Sequence, residues 1–246
     1  MRRVLLSAFL FSLAFWTACW GGRPAAAADA PAEEPAGYVD AVTGKAQAAH
    51  PVYGKRGLDP ESPVYQGDLV ETAPESALRI VFRDQTSLEM RASSSLTIAE
   101  YVYDPGDKSL GRLLVKYAQG VFRAVTGAIV KENPGRFSLE APLASVGVRG
   151  TEIGSQVASG RELHALLSGT PIEVSASTGP PRTVDKPDYG VDVAAGTPIA
   201  PERPLTEEEK RLFAKMGFAR QMDLLRRQTL FKTRTMVRPP KVRPHL

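Results

Sequence analysis

The chain has 246 residues, 43% of them hydrophobic and 24% charged, with 21 Gly, 20 Pro and a net charge of +4. That size and balance fit one domain with appendages and exclude global disorder. A single cysteine, Cys19, excludes an internal disulfide framework and a Cys-built zinc site, and His50, His164 and His245 are too far apart in sequence for a metal-ligand spacing.

The chain opens with Arg2 and Arg3, an apolar run from Val4 to Trp16, and small residues around Ala25 to Ala30. These are the three parts of a secretory signal, with cleavage expected after Ala28 or Ala30. The run is shorter than the ~20 residues that span a bilayer. The sequence therefore predicts an exported, periplasmic protein with residues 1–28 as signal peptide and no transmembrane helix in the mature chain. Trp16 to Cys19 (WTAC) also resembles a bacterial lipoprotein box, so a lipid anchor at Cys19 is the alternative.

Removing residues 1–28 leaves a net charge of +1. Residues 201–246 hold 12 Lys/Arg against 5 Asp/Glu, and residues 29–200 hold 16 against 22. The basic character sits in the signal and the tail, whereas a nucleic-acid-binding domain concentrates it on the folded core. Nucleic acid is not expected as a partner.

Residues 29–37 (DAPAEEPAG) read as a flexible leader. From residue 38 to 200, short apolar-alternating runs are separated by turn residues. Leu78, Ile80 and Phe82 form one such run, Leu113, Val115 and Tyr117 another, and Val191 and Val193 a late one. Runs of this length and spacing predict an all-β module of many short strands, a β-sandwich or a β-solenoid-like arrangement. No helix-period stretch precedes residue 205. Thr206 then stands three residues before Glu209, a capping box, and Glu207 to Glu209 suit the positive end of a helix dipole. Leu212, Phe213, Met216, Leu224 and Phe231 recur at helical spacing, which predicts one amphipathic helix from about Thr206 to Lys232 inside a basic C-terminal segment, 201–236. The tail 237–246 (VRPPKVRPHL) should be extended. The helix either packs its apolar side on the β domain or contacts an anionic membrane surface through its basic side.

Four segments, in order, carry a family resemblance: Tyr65 to Thr72 (YQGDLVET) with the turn Arg83 to Leu88 (RDQTSL), Tyr101 to Pro105 (YVYDP), Gly120 to Gly127 (GVFRAVTG) and Ala141 to Ile153 (APLASVGVRGTEI). Together they resemble the FecR domain, a module named after the iron-dicitrate signalling regulator. The match is best over Tyr65 to Ile153 and looser to Pro198. The resemblance implies a FecR-like β domain over 38–200. Regulators of that family carry a cytoplasmic anti-sigma segment and a transmembrane helix ahead of the module. This sequence resembles the stand-alone exported members instead.

The resemblance singles out Gly67, Asp68, Asp104, Pro105, Gly120, Arg123, Gly127, Pro142, Gly147, Arg149, Gly150 and Thr151 as motif residues, mainly structural in role. Arg149 and Thr151 read either as a polar clamp on the turn or as a ligand contact. Asp104 to Asp107 read as a turn, and Tyr101 and Tyr103 as core or rim packing or as a binding platform. No nucleophile elbow, metalloprotease helix, phosphate-binding loop or CxxC is present. Ser145, Ser155 and Ser168 have no His close in sequence, and His164 follows Ser159 without an evident orienting acid. The sequence thus predicts no catalytic, cofactor-binding or metal-binding residues. It predicts a non-catalytic binding or adaptor module in envelope signalling or assembly. Its partner would be an envelope protein or a glycan, engaged through sheet surfaces, loops or strand edges. The alternative is a structural envelope factor acting through its basic helix.

Overall fold

The computed structural model describes residues 34–107, 110–132 and 135–214. The expected signal peptide, the helix beyond residue 214 and the Pro-rich tail lie outside the described residues.

The alternation of apolar and polar side chains is realised as strands. β1 (Gly37–Thr43) leads to the hairpin β2 (Ala46–His50) and β3 (Gly54–Gly57), then to β4 (Pro63–Val64) and β5 (Leu69–Thr72). β6 (Ala77–Phe82) and β7 (Ser87–Met90) form the next hairpin, followed by β8 (Ser95–Val102) and the long β9 (Arg112–Val125). After α1 (Ala128–Glu132) come β10 (Phe137–Glu140), β11 (Ala144–Gly147), β12 (Thr151–Ala158) and β13 (Arg161–Gly169). β14 (Ile172–Ala176), β15 (Arg182–Val184), β16 (Tyr189–Ala194), β17 (Arg203–Pro204) and α2 (Glu207–Ala214) complete the described chain.

Strand pairing sorts these elements into two layers. Layer A runs β4–β1–β6–β7–β9–β12–β13–β16–β17. Layer B runs β3–β2–β5–β8–β9–β10–β11–β14–β15. β9 belongs to both. Its first half pairs with β8 and β10, and its second half with β7 and β12. The crossing point is Gly120, at φ +117°, where the Val121 amide donates to Ser94 Oγ at 3.2 Å. Only glycine adopts that backbone geometry easily, so the bend that joins the layers is written at this position. The bend also brings Tyr117 and Phe122 of one strand face to face, with ring centroids 3.9 Å apart.

The core lies between the layers and draws on both. Ile80, Phe82, Leu88 and Phe122 come from layer A, and Ile98, Val115, Leu139 and Val174 from layer B; all are fully buried. Each contributes roughly 1.5–3 kcal/mol of transfer free energy, which is what the period-two pattern encodes. A second, smaller cluster lies on the outer surface of layer A, where Leu205 and Phe213 cover Leu163 and Ala165. The all-β expectation with a C-terminal helix is therefore what the fold shows.

One expectation is corrected. A helix does precede residue 205. α1 is five residues long and sits between the two halves of the fold, where it turns the chain from the end of β9 back to β10. Its first amides are satisfied by a distant turn: the Ala128 amide donates to the Asp84 carbonyl at 2.7 Å and the Ile129 amide to Asp84 Oδ2 at 3.4 Å. A helix held this way leaves no periodic signature of its own.

Candidate functional site

Motif residues take part in three polar constellations that join elements distant in sequence, and a fourth is built from residues outside the motifs. The first is built on the turn before β5. Asp68 is fully buried, and its carboxylate accepts both guanidinium nitrogens of Arg56 from β3, together with the Tyr65 amide at 2.7 Å. Gly67 is at φ +87° and donates its amide to the Ile98 carbonyl at 2.7 Å. The Arg56 guanidinium lies 5.2 Å from the Tyr65 ring centre, and Tyr65, Tyr53 and His50 pack against one another beside it. Asp68 is thus the anchor of the β2–β3 hairpin.

The second constellation is the Asp84–Thr86 turn. Asp84 is sealed from solvent, and its carboxylate accepts the Thr86 amide at 3.1 Å and the Thr86 hydroxyl at 2.7 Å. Burial pushes its carboxyl above the usual carboxylate range, against these hydrogen bonds, which act to lower it. The Asp84 amide donates to the Tyr101 hydroxyl at 3.0 Å. Burial likewise raises the Tyr101 phenol. Tyr101 and Tyr103 pack against the core, and Asp104 accepts the Gly106 amide at 2.8 Å in an exposed turn that also holds Pro105. Gly127 abuts this turn so closely that an added Cβ would strike the Gln85 backbone carbonyl carbon at 2.7 Å.

The third constellation is the VGVRGT segment. Thr151 donates its hydroxyl to the Ser168 carbonyl at 2.5 Å, and its amide donates to Thr126 Oγ1 at 2.9 Å. Gly150 is at φ +104° and the Arg149 carbonyl accepts the Thr170 hydroxyl at 2.8 Å. The clamp is made by threonines and backbone. The Arg149 side chain is exposed, as is Pro142, and Gly147 ends β11.

The fourth was not read from the sequence. Ser155 Oγ lies 3.1 Å from His164 Nδ1, and His164 Nε2 lies 3.0 Å from Glu162 Oε2. The other Glu162 oxygen accepts the Leu143 amide at 2.7 Å. Connectivity of this kind, hydroxyl to imidazole to carboxylate, is that of a hydrolase relay. Here all three residues are 0–1% exposed, so no substrate reaches the hydroxyl. The chain of bonds ties the β10–β11 hairpin of layer B to β12 and β13 of layer A. Its signal was present. Glu162 and His164, two apart on a strand, share a face, and Ser155 stands opposite His164 across the hairpin.

Arg123 belongs to a charge ladder on the outer surface of layer A. It donates to Glu152 at 2.6 Å and to Glu89 at 3.4 Å, and Arg79 pairs with Asp40 at 3.1 Å. Among the described residues no group of three or more His, Cys, Asp or Glu side chains is placed to hold a metal ion, and no helix is long and apolar enough to cross a membrane.

The motif residues brought together in this way are occupied in holding the fold. A cleft of about 680 Å³ opens beside the β2–β3 hairpin, lined among others by Lys45, Gln47, Lys55, Asp59 and Glu71. Gln47 Nε2 donates to Glu71 Oε2 at 2.8 Å. β3 borders the cleft, and among the described residues it pairs with β2 alone.

The fold and its polar hinges define a two-layer all-β module. The family model described as FecR protein matches residues 68–171. Two crystal structures of a candidate anti-sigma factor from Parabacteroides distasonis ATCC 8503 are similar at 12% identity and a TM-score of 0.45. The similarity covers 57% of this chain and 61% of that one, so the chain spans about three-fifths of that protein's length. No curated protein matches the chain.

Proposed function

We propose that the chain is a non-catalytic, exported FecR-domain module that binds an envelope protein in signalling or assembly. The FecR match over residues 68–171 carries this reading. The geometry supports it in one respect. Asp68, Arg123, Gly127 and Thr151 are spent on internal contacts, so partner recognition falls to the surfaces they leave open. The cleft beside β3 is such a surface. It mixes both charge signs and borders the edge of β3 that pairs with no described strand, which suits an extended polar segment of a partner added to the sheet.

A pull-down from detergent-solubilised envelope tests the reading, with the mature chain as bait and mass spectrometry as readout. A specific protein captured by the intact chain, and lost when Lys55→Glu and Gln47→Arg alter the cleft, is the expected outcome. Capture that survives these changes but disappears when residues 215–246 are deleted would move the function to the basic tail. That segment holds nine Lys/Arg and one Asp, the observation that favours the second reading. Recovery of glycan strands without protein would make the module a glycan binder.

A further inference from the structure

β12 and β13 carry Ser155, Glu162 and His164 on the face of layer A that looks into the core, and all three are 0–1% exposed. The register surrounds them with apolar side chains. Phe122 of β9 stands beside Ser155, Val157 of β12 beside Glu162, and Val191 and Val193 of β16 beside His164 and Glu162. All four belong to the main core cluster. From layer B come the Leu143 amide of the β10–β11 turn and the buried side chains of Ala144 and Val146. Tyr117 of β9 lies with its ring on Phe122, and burial raises its phenol, so it stays neutral in acid. The charged groups on the adjoining strand positions pair elsewhere, Lys116 with Glu140 and Arg203 with Asp192, both on outer surfaces, and Arg161 is exposed. Among the described residues set around the cluster, the groups that take up protons in acid are therefore Glu162 and His164.

The geometry limits how many protons this cluster holds. Glu162 Oε1 accepts the Leu143 amide at 2.7 Å, and Oε2 lies 3.0 Å from His164 Nε2. His164 Nδ1 lies 3.1 Å from Ser155 Oγ. With a carboxylate and a neutral imidazole, Nε2–H donates to Glu162 and the Ser155 hydroxyl donates to Nδ1. One added proton fits: Nδ1–H then donates to Ser155 Oγ, and an imidazolium faces a carboxylate. A second does not. On Oε2 it meets the imidazolium N–H, and on Oε1 it lies against the Leu143 amide. It also removes the charge that makes Glu162 a strong acceptor and leaves a net positive charge among buried apolar side chains, which burial opposes. The contact free to give way is the one to the turn. Glu162 and His164 are fixed on one strand, whereas Ala141 to Leu143 form a connection whose Pro142 is exposed.

We propose that Glu162 and His164 form an acid-released latch on the β10–β11 turn. With no more than one added proton the latch is closed and ties layer B to layer A. The second added proton detaches the Leu143 amide. β10 and β11 keep their ladders with β9 and β14, so the change is confined to the turn. The turn walls a shallow cleft of about 300 Å³ lined among others by Pro142, Leu143, Ser145 and Ser175, and release reshapes that surface. This goes beyond the binding role proposed above and does not depend on it.

Hydrogen exchange of the intact chain, read residue by residue by NMR and corrected for the intrinsic pH dependence of exchange, tests the proposal. The range is about pH 7 to about pH 4, over which free imidazole and carboxyl groups take up protons. Leu143 protection should fall about tenfold or more, the scale of one lost hydrogen bond to a charged group, while Val146 and Val174 hold theirs. The ring-nitrogen shifts of His164 should reach doubly protonated values before or as Leu143 is released. Ser155→Ala keeps both titrating groups and should keep the fall. Glu162→Gln with His164→Gln leaves nothing to titrate and should abolish it. Should that double variant fail to fold, the wild-type chain and Ser155→Ala decide. Leu143 protection that is constant over the range overturns the proposal. So does a simultaneous loss at Leu143, Val146 and Val174, which is acid unfolding, or a release of Leu143 while His164 remains neutral, or a fall that persists in the folded double variant.

Discussion

Gly154 is chosen for what it leaves out. An added Cβ would sit 2.7 Å from the Phe213 ring, so any larger residue lifts α2 from layer A. Gly154→Val should cost about 1–3 kcal/mol in urea denaturation through overpacking. The cost should shrink in a Phe213→Ala background, because both changes break one contact. A full additive loss in the double variant would show that the glycine serves something else. The Ser155–His164–Glu162 chain is argued at the same scale. Glu162→Ala leaves the Leu143 amide and the His164 ring without their acceptor in a sealed site. The loss expected when buried hydrogen-bonding partners are left unsatisfied is about 1–3 kcal/mol for each. Ser155→Ala removes a single hydroxyl, and about 1 kcal/mol is expected. A larger effect for Ser155 than for Glu162 would contradict the network drawn here.

At the level of elements, α1 is supported from outside itself. Asp84→Ala removes the acceptor for the Thr86 amide, the Thr86 hydroxyl and the Ile129 amide. Hydrogen exchange at Ala128 to Glu132 should accelerate before that of the surrounding strands. The raised Asp84 carboxyl also has a pH signature. Its charged form is disfavoured in the fold, so its unfavourable contribution eases as pH falls through its folded value, and the slope should vanish in Asp84→Asn. α2 behaves oppositely. The Glu209 carboxylate accepts the Thr206 amide at 2.8 Å, and the Glu209 amide donates to Thr206 Oγ1 at 3.2 Å, completing the capping box. Arg203 beside it lowers the Glu209 carboxyl to about 2. A depressed carboxylate stabilises above its ordinary value of 4.5 and loses that contribution as pH falls toward 2. Acid titration followed by α2 exchange should show this loss in the wild type and not in Glu209→Gln.

At the scale of the whole molecule, one strand joins two layers, and hairpins alternate between them along the chain. Cooperative unfolding is expected, because β9 contributes pairings to both layers. Gly120→Val places a branched side chain at φ +117° and against Ser94, and should lower the stability of both layers together. A calorimetric trace that splits into two transitions would show that the layers unfold separately. Charge is divided at this scale too. Residues 34–214 hold 19 Lys/Arg against 24 Asp/Glu, and residues 215–246 hold nine against one. Opposite signs within one chain favour internal association at low salt, weakened as salt screens it.

The period-two runs determined the strands, because a half-buried sheet repeats every second residue whatever its neighbours are. Thr206 and Glu209 announced the start of α2, because a capping box closes within four residues. The Tyr65 to Ile153 segments carried the FecR resemblance for a related reason. Their turns and glycines are local requirements of the backbone. What stayed hidden was whatever depends on strands meeting across the fold. α1 exists because Asp84, far away in sequence, accepts its first amides. The Thr151 clamp excludes the Arg149 side chain because Thr126 arrives from β9. Ser155, His164 and Glu162 become one chain only when β12 and β13 pair and the layers close over them. Register and layer packing decide these contacts, and both are set by the burial of the whole core rather than by any segment of it.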